Sequence, residues 1–105
     1  QLGGDEAGTA LAKALKDKNC SVRQYAAEAL GQLGGDEARD ACINALQNDK
    51  NRDVQMEAAK SLGRIGGDQA RTACVKALKD DEEWKVRRCA ARALGQLEGD
   101  EARDA

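Results

Sequence analysis

The chain has 105 residues, a net charge of −2, one Trp, one Tyr and no Phe, Pro or His. Its apolar content is mostly Ala and Leu, strong helix formers, while Val and Ile are scarce and no Pro breaks a helix, so the composition points to an all-α fold. The mild charge gives no global pull toward nucleic acid or an anionic membrane, and no apolar run approaches the roughly 20 residues of a membrane span.

A unit of about 32 residues recurs along the chain. Val22, Val54 and Val86 keep step, as do Leu30-Gly31, Leu62-Gly63 and Leu94-Gly95. The first unit, about 3–33, opens with Gly3-Gly4-Asp5-Glu6-Ala7. Leu15 to Val22 is one residue shorter than Leu46 to Val54, which puts a deletion in its inter-helix turn. The second unit, about 34–65, opens with Gly34-Gly35-Asp36-Glu37-Ala38-Arg39, where Asp36 reads as an N-cap. Ala38, Ala41, Cys42, Ala45 and Leu46 then follow at helical spacing on one face. Asn48-Asp49-Lys50-Asn51 is a polar turn. A second helix starts near Arg52-Asp53, buries Val54, Ala58, Ser61, Leu62 and Ile65, and ends at Gly66-Gly67. The third unit, about 66–97, repeats the pattern, and Gly99-Asp100-Glu101-Ala102-Arg103 is expected to begin a partial fourth, 98–105. The chain thus opens and breaks off inside a repeat, which suggests a fragment of a longer array. Its small apolar residues let helices approach closely, and each thin repeat depends on its neighbours for stability.

The units resemble HEAT-like repeats of the phycobilisome-lyase type. Val86-Arg87-Arg88-Cys89-Ala90-Ala91-Arg92-Ala93-Leu94-Gly95 is similar to that family's V-R-x-x-A-A-x-A-L-G second helix, and Ala77-Leu78-Lys79-Asp80 to its A-L-K-D first helix. Val22-Arg23 with Ala26 to Gly31 repeats the match, and the middle unit departs at Gln55 and Ser61. The resemblance implies a right-handed α-solenoid with second helices lining a concave surface, and a role in binding other proteins. Some members assist bilin attachment. HEAT-like hydroxylases need His-Glu metal motifs, which a chain without His does not supply. In such repeats a turn Asp and the Arg after Val support one another, which pairs Asp17 with Arg23 and Asp81 with Arg87.

The four cysteines include Cys42 and Cys74 in equivalent slots. Stacked helices put such slots roughly 8–10 Å apart, beyond the limit of about 7 Å between Cα atoms for a disulfide, so both read as buried apolar residues. Free thiols favour a reducing compartment, hence the cytoplasm. Without His or ligand spacing, neither a zinc site nor any other metal or cofactor is expected.

Opposite their buried faces the second helices carry polar stripes: Tyr25, Glu28 and Gln32; Glu57, Lys60 and Arg64; Cys89, Arg92 and Gln96. Lys85 and Arg88 flank the third, which is basic. These positions vary between units while buried ones barely change, as expected of a binding surface or of solvated faces drifting freely. Trp84 reads equally as a core residue or as a rim anchor for a partner. Met56 reads as packing, Asp80-Asp81-Glu82-Glu83 as an acidic helix start, and Asn19-Cys20-Ser21 as a formal glycosylation pattern.

The sequence therefore predicts a non-catalytic protein-binding scaffold. Its expected partner is a protein or peptide, with an acidic segment near the third repeat; membrane and nucleic acid are not expected. End-to-end self-association and a bilin-lyase-like chaperone role are the alternatives.

Overall fold

A computed structural model describes the backbone of residues 2–104 and the side chains of residues 6–99. Six helices follow one another: α1 (Leu2–Ala14), α2 (Cys20–Leu33), α3 (Asp36–Asn48), α4 (Arg52–Ile65), α5 (Asp68–Asp80) and α6 (Trp84–Asp104). The odd helices form one layer and the even helices the other, giving an all-α solenoid. The Cα atoms span 33 × 33 × 16 Å, a slab two helices thick.

The layers are sealed by small residues. Ala38, Cys42, Ala45 and Leu46 of α3, and Val54, Ala58, Ala59 and Leu62 of α4, are buried in one continuous core with Ala70, Cys74, Val86 and Ala90. All four cysteines are free, and Cys42 and Cys74 are fully buried. Ser61 is the one buried polar side chain among the described residues, and its hydroxyl donates to the Ala27 carbonyl of α2 at 2.6 Å.

The reset between repeats is made by glycine pairs. Gly34 and Gly66 have φ of 77° and 82°, and their amides donate to Leu30 and Leu62 carbonyls, closing α2 and α4. That left-handed backbone is open to glycine and strained for other residues. Gly35 and Gly67 take the N-cap positions of α3 and α5. Asp36 and Asp68 therefore do not cap. Each is the first helical residue and pairs with an arginine one turn on, Asp36 with Arg39 at 3.0 Å and Asp68 with Arg71 at 2.7 Å. Side-chain caps lie at α2 and α4 instead, where Asn19 and Asn51 side chains accept the amides of Ser21 and Asp53. This capping accounts for Asn19 in the formal glycosylation pattern.

At the third reset the chain departs from the expected partial repeat. Glu98 stands where Gly34 and Gly66 stand, and α6 continues through Gly99 to Asp104. A glutamate at that position disfavours the left-handed turn, so no new helix begins at Asp100. Glu98 instead receives Arg71 Nε at 2.9 Å.

The one-residue deletion in the first repeat is absorbed by the end of α1. The helix stops at Ala14, and the Lys16 and Asp17 amides bond back three residues to Lys13 and Ala14, a tightened last turn. No helix among the described residues is long and apolar enough to cross a membrane.

Candidate functional site

The even helices pack side by side more closely than the odd ones. A Cβ added to Gly63 would lie 3.1 Å from the Ala93 Cα, and one added to Gly31 would lie 2.9 Å from the Ser61 Cα. The odd layer is looser. An open groove of about 810 Å³ runs between α1 and α3, lined in part by Lys13, Lys16, Glu37 and Asp40. A second, of about 580 Å³, lies between α3 and α5. A two-layer stack packed tightly on one side bends toward that side, which makes the α2–α4–α6 face the inner one. Sequence reasoning missed the outer grooves. Their only signal is the scarcity of large side chains at Ala12, Ala41 and Ala45 along their walls.

The turns between odd and even helices are built from a repeated aspartate. Asp17, Asp49 and Asp81 each accept the backbone amide two residues on, at 2.9 Å in every case. The expected Asp17–Arg23 and Asp81–Arg87 pairs form only through the backbone: Arg23 Nη1 donates to the Asp17 carbonyl and Arg87 Nη1 to the Asp81 carbonyl, both at 2.8 Å. Arg23 gives its remaining donors to the next repeat, Nε to Asp49 Oδ2 at 2.9 Å and Nη2 to Oδ1 at 3.4 Å. Gln55 makes the next rung, reaching the Leu46 carbonyl at 3.0 Å and Asp81 Oδ2 at 3.4 Å. The ladder therefore runs between repeats, because each second-helix start overhangs the following turn.

The stripe residues on the inner face fall into three groups. Gln32, Lys60, Arg64, Arg92 and Gln96 are exposed, and Tyr25 is 72% exposed. Glu28 and Glu57 are half-buried, and Glu57 holds Lys60 at 3.7 Å. Cys89 does not belong to this surface. It is 6% exposed and lies in the core cluster. One helical turn separates it from Ala93, the residue that rests on Gly63, so Cys89 faces α4 rather than solvent. Met56 packs against the core, as expected.

Trp84 is 55% exposed, which excludes the core alternative. Lys85 Nζ and Arg88 Cζ stand 5.6 and 5.2 Å from its ring centroid. Such cation–π contacts contribute about 0.5–1 kcal/mol each at exposed sites and favour this placement of the ring beside the two cations. The acidic run before it is structural: Asp81 holds the turn and Glu83 lies 3.8 Å from Arg52.

Burial pushes the Cys42 thiol up to about 12 and the Cys74 thiol to about 11. Both stay protonated and inert at neutral pH, the reverse of an activated cysteine. Among the described residues no group of three or more His, Cys, Asp or Glu is placed to hold a metal ion.

Residues 8–95 match the sequence profile of the family described as HEAT repeats. The chain belongs to the HEAT-repeat family. Among solved structures it is similar to human deoxyhypusine hydroxylase in complex with glycerol, with a TM-score of 0.79 and 31% identity. That match covers 88% of this chain and 32% of the enzyme, so this HEAT-repeat chain spans about a third of the enzyme's length. No curated protein matches.

Proposed function

We propose that this HEAT-repeat chain is a non-catalytic scaffold or adaptor that binds a protein through the inner face of α2, α4 and α6. The observation that carries this reading is the contrast between the two sides of the even helices. Their inward positions keep a small apolar residue buried in each unit: Ala26, Ala58 and Ala90 are 0–3% exposed. Their outward positions change from Gln32 to Arg64 to Gln96, and from Glu28 to Lys60 to Arg92. Lys85, Arg88 and Arg92 make the third repeat basic, which suits an acidic segment of the partner. Within this stretch no His is present, and the two thiols with shifted pKa values are raised by burial, which supports a binding role over catalysis. Free cysteines support a reducing compartment such as the cytoplasm. The Val86-to-Gly95 pattern supports the phycobilisome-lyase subgroup within the family.

The test is a pull-down from cell extract with the intact chain beside a Tyr25→Ala, Lys60→Glu, Arg88→Glu, Arg92→Glu variant. All four residues are exposed, so circular dichroism should show unchanged helicity. A partner retained by the intact chain and lost by the folded variant supports the reading. Equal capture by both removes the inner face as the site.

A further inference from the structure

We propose that the groove between α3 and α5 is a docking site for an arginine side chain of a partner polypeptide, held between the turn of the second unit and the Asp81 carboxylate. The other two units define what such a site needs. In the first, Arg23 Nη1 donates to the Asp17 and Lys18 carbonyls at 2.8 and 3.2 Å, while Nε and Nη2 reach the two Asp49 carboxylate oxygens. In the third, Arg87 Nη1 takes the equivalent Asp81 and Glu82 carbonyls at 2.8 and 3.1 Å. The turn of each of these units thus presents a pair of carbonyls that holds a guanidinium.

The second unit keeps the acceptors and lacks the arginine. Gln55 stands at the position of Arg23 and Arg87. Its amide donates to the Leu46 carbonyl at 3.0 Å and reaches Asp81 Oδ2 only at 3.4 Å. The Asp49 and Lys50 carbonyls, counterparts of those of Asp17 and Lys18, meet no donor among the described residues. Asp81 Oδ1 accepts the Glu83 amide at 2.9 Å, as Asp49 Oδ1 accepts the Asn51 amide, so the same turn presents Asp81 that presents Asp49 to Arg23.

These acceptors border open space. The groove of about 580 Å³ is lined by Asp49, Lys50, Gln55 and Asp81, whereas the groove between α1 and α3 does not extend to Arg23. Asp80 and Glu82 add negative charge to its wall. Lys50 and Lys76 also line it, yet among the described residues neither forms an ion pair, and nor does the Asp81 carboxylate. Arg23 shows that a planar guanidinium spans a turn carbonyl and the next carboxylate at once, which the compact ammonium of a lysine is not shaped to do. The groove continues past Gln47, Ala73 and Lys76 into a depression of about 300 Å³ beside Ile43. Residues flanking the arginine can lie there, which favours a polypeptide over a free small guanidinium. The site lies in the odd layer and does not depend on the reading of the α2–α4–α6 face.

The test is an NMR titration of the isotope-labelled chain with a capped Ala-Arg-Ala-Leu peptide, taken to millimolar concentration. Two further peptides carry lysine or neutral citrulline in place of the arginine. The arginine peptide is expected to shift the Gln55 side-chain amide and the backbone amides of Lys50, Asn51, Glu82 and Glu83 saturably. The lysine peptide should bind about tenfold more weakly, and the citrulline peptide should leave these signals in place. Asp81→Asn, which keeps an oxygen for the Glu83 amide, should weaken the arginine peptide by about tenfold or more. Gln55→Arg supplies the guanidinium from within the chain and should abolish binding while the fold is retained, which keeps the test decisive if Asp81→Asn loses helicity. An Arg88→Glu, Arg92→Glu chain should bind the peptide unchanged. Absence of saturable shifts with the arginine peptide overturns the proposal, as does equal binding of the lysine or citrulline peptide. Undiminished binding by Gln55→Arg, or shifts confined to α2, α4 and α6, overturns it too.

Discussion

Ser61 of α4 rests against Gly31 of α2 so closely that a Cβ at Gly31 would fall 2.6 Å from the Ser61 Cβ. The contact is locked by the Ser61 hydroxyl, which donates to the Ala27 carbonyl one turn earlier in α2. Gly63 and Ala93 repeat the approach without the hydrogen bond. The recurring Leu-Gly pairs are thus explained from packing: leucine fills the space between layers, and glycine lets the next even helix come close.

Gly31→Ala should therefore destabilise the chain by about 1–3 kcal/mol, because the obstructing atoms include backbone and the helices must separate. Gly95→Ala should do the opposite, gaining about 0.5–1 kcal/mol, because its surroundings are open and alanine is the better helix former. Urea unfolding of the two variants at a concentration where the chain is monomeric checks both signs.

Gln55→Arg should stabilise the chain by about 1 kcal/mol, raising Tm by about 4–8 °C for a domain near this size. The arginine would restore at the middle rung the fork that Arg23 places on Asp49. Asp81, with its second oxygen already approached by Gln55 at 3.4 Å, is the waiting acceptor. Scanning calorimetry of the variant decides it. An unchanged or lower Tm would mean that the Gln55 bond to the Leu46 carbonyl matters more than the added charge pair.

The buried thiols predict an alkaline limit. Both folded pKa values lie above the ordinary 9.0, so unfolded thiolates form first as pH rises. Their contribution to stability is complete below about 9 and is lost between 9.0 and about 12 for Cys42, and between 9.0 and about 11 for Cys74. The slope is about −1.4 kcal/mol per pH unit for each thiol. Comparing the chain with a Cys42→Ala variant across this window isolates the effect from lysine titration, since the variant should lose less stability with pH.

Thiol labelling provides a simpler check on the same burial. A disulfide-exchange reagent at neutral pH should modify Cys20, which is exposed, and leave Cys42, Cys74 and Cys89 until the chain unfolds. Rapid labelling of Cys89 in the folded chain would return it to the inner surface.

The repeat, the helix pairs and the buried faces were legible because they depend on periodicity and on glycine and alanine, which act locally. The ladder was not. Asp17 with Arg23 looks like a pair at short range, yet the arginine takes only the Asp17 backbone carbonyl and reaches across to the Asp49 carboxylate. Cys89 shows the same limit. It shares a register position with exposed Tyr25, and only the presence of α4 beside α6 separates their fates. Glu98 was legible in principle, since one missing glycine was enough to carry α6 past Gly99, but the surrounding Gly-Asp-Glu-Ala-Arg masked it.

The most direct measurement of the binding account is site-specific photo-crosslinking. One probe replaces Lys60 on the inner face of α4, and another replaces Thr72 on the exposed side of α5. The account predicts a discrete partner joined from position 60 and not from 72, competed by excess intact chain but not by an Arg88→Glu, Arg92→Glu chain. Identical products from both positions, or none from position 60, would contradict it.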